Sequence, residues 1–477
     1  MYNVGTSTDP EQRVHPAART SRTPTPERAR QHHASPPDTS PESLRSSRVV
    51  LDDLFGPSAE RTFAVRFWDG TVDTPRETPR FTLVLQQPGA LRRMLLPPSE
   101  LSLTEAYIFG DVDLEGDLES AAALGDVAAG RIASLGALLR LERHAAALPR
   151  DHAPATHQAH QARGLLRAGR RHSVRRDRQA VRFHYDVGNR FYQLWLDRNM
   201  VYSCGYFERG DEDIDTAQRA KLDHICRKLR LKAGERLLDI GCGWGGLIRH
   251  AVRRYGVIAL GITLSENQAH LARERIAADG LGDRCRVEVR DYRDLAGEPA
   301  FDKIASVGMV EHVGAERLGE YFAAAFRALR AGGLFLNHGI INIADARPQS
   351  TRDRIAGKLW RRGAFIDRYV FPDGALVPAA LVIACAEEAG FELRDVESLR
   401  EHYATTLRHW VRRLEASEPD AVALVGEPTY RVWRLYMAAS AYGFRTGRIG
   451  IIQSLLAKQD SDGRASVPRT RRDLYVL

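Results

Sequence analysis

Arg236-Leu237-Leu238-Asp239-Ile240-Gly241-Cys242-Gly243-Trp244-Gly245-Gly246 is the stretch whose reading decides the fold. It opens as a short apolar run, the pattern of a buried strand, and then breaks into glycines. An amphipathic helix is expected from about Leu247, with Ile248, Ala251 and Val252 on its apolar side. Strand, glycine turn and helix is how an open α/β sheet builds a ligand site at the carboxyl end of its first strand. Glycine lets the backbone approach a ligand closely, and the helix N-terminus offers unpaired N–H groups. Gly241, Gly243 and Gly246 satisfy the dinucleotide pattern GxGxxG. Asp239, two residues ahead of the first glycine, equally suits a cofactor that carries positive charge. The turn alone leaves both open.

Working outward, the chain of 477 residues is long enough for two or three domains and a sizeable core. Its 43% hydrophobic and 27% charged content is that of an ordinary globular protein. No run of about 18 apolar residues occurs, so no transmembrane helix is expected. The first residues lack the apolar core of a secretory signal. Cys204, Cys226, Cys242, Cys285 and Cys385 are scattered, odd in number and without zinc spacing, as in a reduced, cytoplasmic protein. A net charge of +8 suits an anionic partner, either a phospholipid surface or nucleic acid.

Residues 1–47 are rich in Pro, Ser, Thr, Arg and His, and are expected to be a disordered tail. Residues 48–148 read as a small α+β domain. In it, Phe63 to Trp68 alternates ahead of an Asp69-Gly70 turn, Phe81 to Leu85 is a second strand, and helices follow over Ala90 to Leu96 and Ser102 to Phe109. Asp111 to Asp117 invites a calcium loop, but Ala122 stands where the bidentate carboxylate is needed, so an exposed acidic turn is expected and no metal. Residues 149–180 are a linker with His152, His157, His160 and arginines from Arg163 to Arg178. Those arginines are either a dock for phospholipid headgroups, at ~1 kcal/mol each near an anionic surface, or a solvated spacer. No aromatic residues interleave with them, which argues against nucleic acid. From 181 onward, strands are expected at Val257 to Thr263, Cys285 to Val289, Phe301 to Val307 and Gly333 to Asn337, with helices between. That alternation is a doubly wound, mostly parallel, Rossmann-like sheet, which puts Asp239, Thr263, Asp291, Glu311 and His338 at or just beyond strand ends.

With these residues placed, the chain resembles the cyclopropane-fatty-acyl-phospholipid synthase family, which includes mycolic acid cyclopropane synthases. The resemblance is carried by Phe183 to Asn189, Tyr202 to Phe207, the D-x-G-x-G-x-G at Asp239, Gly261 to Gln268, Gly308 to Gly314, His338-Gly339-Ile340, Tyr369 to Gly374, His402 to Leu407 and Gly443-Phe444-Arg445. It implies a methyltransferase domain over 181–477 that uses S-adenosylmethionine, with 48–148 as a lipid-facing N-terminal domain. By the resemblance, Tyr202 and Ser203 reach the methionine part of the cofactor and Asp239, Gly241, Cys242, Gly243, Trp244 and Gly245 wrap it. Thr263 and Gln268 take the ribose, and Asp291 and Tyr292 lie by the adenine. A bicarbonate ion is expected on the Cys204 backbone, Glu311, His338, the Ile340 backbone and Tyr403.

The implied reaction transfers a methylene from S-adenosylmethionine to a cis double bond of a phospholipid acyl chain. An alkene is a poor nucleophile, so it must be held in line with the sulfonium methyl. The carbocation that follows needs a dry tunnel, aromatic faces such as Tyr185, Phe207, Tyr369, Phe371 and Tyr436, and a base, for which bicarbonate is the candidate. Ser440 stands where family members commonly carry a cysteine, which excludes a thiolate there and leaves a methyl or methylene branch as the alternative product. A non-catalytic lipid-binding relative and a nicotinamide dehydrogenase are rivals; intact Asp239, Glu311, His338 and Tyr403 oppose the first and Thr263 the second. Arg352, Arg354, Lys358, Arg361 and Arg362 around Ile355, Leu359 and Trp360 suit an interfacial helix or a solvated one. Unsaturated phospholipid and an anionic membrane surface are the expected partners, at the inner face of the cell membrane. A homodimer is expected by family analogy alone.

Overall fold

The computed structural model describes residues 40–131, 134–150, 187–295, 300–343, 363–372, 374, 376–465 and 467–475. Residues 1–39, most of the linker, Tyr185 with the rest of 183–186, and the arginine segment 352–362 lie outside the described residues. Asp38 to Leu477 cluster as one compact unit.

The N-terminal layer starts earlier than expected. Helix α1 (Pro41–Phe55) is capped by Ser40 and buries Ser43, Ser47, Val50, Leu51 and Leu54, so ordered structure begins inside the segment read as tail. Strands β1 (Ala64–Arg66) and β2 (Val72–Asp73) pair antiparallel about the Asp69-Gly70 turn. They continue through β3 (Phe81–Leu85) to β4 (Val112–Gly116) in the order β2-β1-β3-β4. Helices α2 (Ala90–Leu95) and α3 (Glu100–Ile108) lie where the sequence indicates. The acidic stretch is not an exposed turn. Val112 to Gly116 forms β4, while Asp111 is fully buried and accepts hydrogen bonds from Arg93 Nη2 at 2.8 Å and Gln87 Nε2 at 2.9 Å. Short helices α4 (Leu118–Ala121), α5 (Leu124–Arg131) and α6 (Leu135–Ala146) complete the layer.

The second sheet has seven strands in the order β10-β11-β9-β8-β5-β6-β7. Strands β5 (Arg236–Ile240), β6 (Ile258–Thr263), β7 (Cys285–Val289), β8 (Phe301–Val307) and β9 (Leu329–Asn342) are parallel. β11 (Ile449–Ala457) runs antiparallel between β9 and β10 (Glu392–Ser398). This is the doubly wound Rossmann-like sheet that the alternating pattern predicts. The last two strands are additions, because the sequence reading stops at β9. β9 itself runs past Asn337, which puts His338 inside a central strand rather than at its end.

Helices α7 (Asn189–Trp195), α8 (Ile214–Leu229), α9 (Gly246–Tyr255), α10 (Glu266–Ala278), α11 (Val310–Val313) and α12 (Leu318–Ala328) connect or cover the strands. Beyond β9 come α13 (Ala364–Tyr369), α14 (Ala379–Glu388), α15 (Arg400–Ala416), α16 (Glu418–Val425) and α17 (Glu427–Arg445). The N-terminal layer closes on α15 and α17: Glu119 accepts from Arg408 Nε and Arg445 Nε at 2.6 Å each, and Arg434 Nη1 donates to the Tyr107 hydroxyl at 2.9 Å.

The turn after β5 depends on a close approach from β6. The Gly241 and Cys242 N–H groups both donate to Ile262 O, at 2.9 and 3.0 Å. A Cβ at Gly261 would stand 2.7 Å from Cys242 Sγ and 2.9 Å from Ile248 Cδ1, so only glycine lets β6 lie against the turn and α9. Gly261→Ala is therefore expected to lower the unfolding free energy by ~1–3 kcal/mol, with a lower urea midpoint, and weaken cofactor binding with it. A wild-type midpoint in equilibrium unfolding would show that the packing gives way without cost.

Candidate active site

Two cavities meet at the carboxyl end of the sheet. The first is lined by the glycine turn, from Asp239 to Trp244, by Tyr202 and Ser203, by Thr263 and Gln268, and by Arg290 and Tyr292. The second is lined by Glu311, His338, Ile340, Tyr403, Ser440 and a mainly apolar wall that includes Phe371, Leu407, Tyr436, Phe444 and Ile451. Tyr202, Ser203, Gly308 and His312 belong to both.

The first cavity sets one buried carboxyl, Asp239, among the bases Lys221 and Arg290. Gly241, Gly243 and Gly245 hold φ of 83°, 54° and 78°, which turns the backbone around the strand end. Asp239 is buried, and its Oδ1 has no hydrogen-bond partner among the described residues. Burial pushes its pKa up to about 7, against the pull of Lys221. Thr263 Oγ1 donates to Gln268 Oε1 at 2.8 Å, which orients the amide and hydroxyl for a diol. Trp244 Nε1 donates to Asn189 Oδ1 at 2.8 Å. Two expected contacts differ. Asp291 does not line the cavity, because its carboxylate takes Arg293 Nε at 2.8 Å and Nη2 at 2.7 Å. Gly245 also stands off the wall, where Gly246 takes its place.

The Tyr202-Ser203 loop is pinned from α8 by residues that the sequence reading missed. Gln218 Nε2 donates to Ser203 O at 2.7 Å and Val201 O at 3.3 Å, and Lys221 Nζ donates to Ser203 Oγ at 2.8 Å. Burial pulls the Lys221 pKa down to about 8, against Asp197, Cys204 and Asp239. Polar residues on the buried helix face, Gln218 and Lys221 beside Ala217, Leu222 and Ile225, were the available signal.

At the junction, Glu311 Oε1 accepts the Ile340 N–H at 2.7 Å, while Oε2 is buried without a partner. His338 Nδ1 lies 3.0 Å from Gln453 Nε2, and its Nε2 is likewise buried and unpartnered among the described residues. Burial raises Glu311 to about 7, drives His338 well below the imidazole range and takes His312 down to about 4. At neutral pH both imidazoles are therefore uncharged and Glu311 is partly protonated. Gly339 makes room for this: a methyl there would overlap Val310 Cγ1 on α11, beside Glu311. Cys204 is buried behind the wall, its Sγ 3.6 Å from Leu399 O, and burial puts its thiol far above the ordinary range. It is inert as a nucleophile.

Among the expected aromatics, Phe371 and Tyr436 reach the second cavity, with ring centroids 5.7 Å apart. Phe207 does not; it stacks on His409 at 5.6 Å. Nor does Tyr369, whose hydroxyl donates to Glu105 in the N-terminal layer at 2.6 Å. Among the described residues no cluster of three or more metal-ligating side chains occurs, and no helix is long and apolar enough to cross a membrane.

A buried carboxyl whose folded pKa is raised binds its proton where the unfolded chain has released it. Between the ordinary value of 3.8 and about 7, Asp239 thus makes stability fall as pH rises. Asp239→Asn is expected to stabilise the ligand-free protein at pH 8 by on the order of a few kcal/mol while abolishing S-adenosylmethionine binding. Thermal unfolding and calorimetric titration of the variant check both arms; an unchanged or lower Tm would refute the desolvation argument.

Comparisons with known proteins identify the family of the chain. Residues 172–454 match the mycolic acid cyclopropane synthetase family, and residues 50–124 match a domain of unknown function (DUF7884). The chain is 42% identical over 413 residues to a probable fatty acid methyltransferase of Pseudomonas putida, covering 86% of this chain and 95% of the relative. It is 38% identical over 280 residues to the cyclopropane-fatty-acyl-phospholipid synthase of Escherichia coli, covering 59% of this chain and 68% of that protein. The crystal structure of a mycolic acid cyclopropane synthase complexed with SAH and CTAB superposes with a TM-score of 0.55 at 37% identity, covering 58% of this chain and 97% of the other. With the glycine turn, the buried Asp239 and the seven-stranded sheet beneath them, the chain belongs to the mycolic acid cyclopropane synthetase family of S-adenosylmethionine-dependent methyltransferases.

Proposed function

We propose that the chain transfers a methylene group from S-adenosylmethionine to a cis double bond in a phospholipid acyl chain, closing a cyclopropane ring. The observation that carries this reading is the shared wall of the two cavities: a polar pocket, in which Asp239 Oδ1 has no partner among the described residues, opens beside an apolar one at Glu311 and His338. When bound, S-adenosylmethionine supplies the electrophilic methyl and bicarbonate supplies a base for the proton lost from it. Asp239, the glycine turn, Thr263 and Gln268 would hold the cofactor. The solved relative complexed with SAH supports this choice of cofactor.

Glu311 Oε2 and His338 Nε2 fit a small oxyanion, because a protonated carboxyl and a neutral imidazole N–H both donate and neither brings a net charge of its own. Tyr403 flanks them on the same wall, its ring 4.6 Å from Phe444. Phe371, Tyr436 and Phe444 would exclude water from a carbocation and present π faces to it. The net charge of +8 supports docking on an anionic membrane surface, at the inner face of the cell membrane.

Branching without ring closure is the second reading, favoured by the relative named a fatty acid methyltransferase and by Ser440 in the cavity wall. Methyl-labelled S-adenosylmethionine with vesicles of cis-unsaturated anionic phospholipid separates the two. Label in upfield cyclopropane protons is expected, and label in an open branch establishes the second reading. Label absent from lipid, with cofactor bound, refutes acyl-chain methylation. Glu311→Gln is expected to keep cofactor affinity and lower transfer by roughly 10²–10⁴-fold.

A further inference from the structure

His338, Gln453 and Glu397 stand side by side across three strands. The β9–β11 register pairs His338 with Gln453, and the β11–β10 register pairs Gln453 with Glu397. Gln453 is fully buried and outside every motif that the sequence reading used. Its amide nitrogen faces His338 Nδ1 at 3.0 Å. In this orientation of the amide the nitrogen donates and Nδ1 accepts. In a neutral imidazole the single proton then sits on Nε2, the ring atom without a partner among the described residues, on a side chain that lines the second cavity.

We propose that Gln453 is a positioning residue that fixes His338 in its Nε2–H tautomer, making the histidine a hydrogen-bond donor at the reaction centre and not its base. A histidine that serves as a base needs the reverse arrangement: an acceptor on Nδ1, usually a carboxylate, leaves Nε2 free to take a proton. The nearest carboxylate in the row cannot act so, because Glu397 Oε2 is held by His224 Nε2 at 2.7 Å and Lys228 Nζ at 2.5 Å, both from α8. Burial, with Lys221 and Lys228 nearby, also keeps the ring uncharged. The proton of the proposed reaction must then leave through another group, and His338 grips whatever oxyanion receives it. This assignment rests on the proposed function for its chemical meaning, and on the geometry alone for the tautomer.

The test uses the full chain with ¹⁵N-labelled histidine, with the His338 signals assigned by difference from His338→Asn. The expected wild-type spectrum has a pyridine-type Nδ1 and a proton-coupled, pyrrole-type Nε2. A proton on Nδ1 overturns the proposal. Gln453→Glu puts an acceptor against Nδ1 and is expected to move the proton to Nδ1 or protonate both nitrogens; an unchanged spectrum overturns the role of Gln453. Gln453→Met keeps volume without the donor and is expected to lower kcat about 10- to 100-fold, with KM for S-adenosylmethionine unchanged; wild-type kcat overturns the role. Should neither variant fold, the wild-type spectrum still decides the tautomer. A wild-type protein that shows the expected tautomer but methylates no lipid would refute the proposed function and leave this assignment standing.

Discussion

The constraint on which the rest depends is the removal of ionisable groups from water at the junction of two cavities. Asp239 and Glu311 are carboxyls with one oxygen each left without a partner among the described residues, and burial raises both to about 7. Lys221 shares the first cavity and loses basicity for the same reason. An unpaired buried charge costs several kcal/mol, so the ligand-free pocket is a place where the protein stores unfavourable free energy. A bound cation beside Asp239 releases that cost, which converts folding strain into affinity. The same desolvation, applied to His312 and His338, keeps both imidazoles uncharged at the junction of the cavities.

Such a pocket survives only if its surroundings over-determine it. The central strands β5, β8 and β9 supply the frame, and β11 adds Gln453 behind His338. α8 crosses underneath and fixes the Tyr202-Ser203 loop with two side-chain donors, while Asp197 accepts the Val201 N–H at 2.7 Å and the Asn199 N–H at 2.8 Å just ahead of it. The aromatic cluster of Tyr192, Trp195, Trp410 and Trp433 packs behind Tyr202. From the far side, Glu119 ties α15 and α17 together through Arg408 and Arg445. Those arginines are about one-third to one-half exposed, so their contribution is geometric alignment more than stability.

Legibility in the sequence follows from how local each feature is. Asp239, the glycines, Thr263 and Gln268 can be read because each sits within one strand-turn-helix unit, where periodicity and turn chemistry reveal it. Gln453 matters through a partner 115 residues away, and no local pattern marks it, whereas Gln218 and Lys221 show only as polar residues on a buried helix face. β10 and β11 escaped because Glu392 to Ser398 is mostly polar, and because the alternation of strand and helix gives no warning of an antiparallel return. Asp111 misled for the opposite reason. A run of acidic residues reads as solvated, yet Arg93, eighteen positions earlier, folds back to neutralise it. Asp291 likewise looks like a ligand residue by position, but the arginine two residues on consumes its carboxylate.

The replacement of a thiol by Ser440 bears on mechanism less than its place in the wall suggests. Ser440 and Tyr202 line the same cavity as Tyr436, whose hydroxyl pKa burial raises to about 12. That hydroxyl stays protonated at neutral pH and cannot take a proton from a carbocation. With Cys204 and Tyr436 held in their neutral acid forms and His338 oriented as a donor, the cavity wall contributes shape, dryness and hydrogen-bond donors, but no strong base. In the proposed reaction, the choice between ring and branch therefore rests on where a base held between Glu311 and His338 lies relative to the transferred methyl and to the neighbouring chain carbons. Position 440 acts on that choice only by the volume it leaves for the chain.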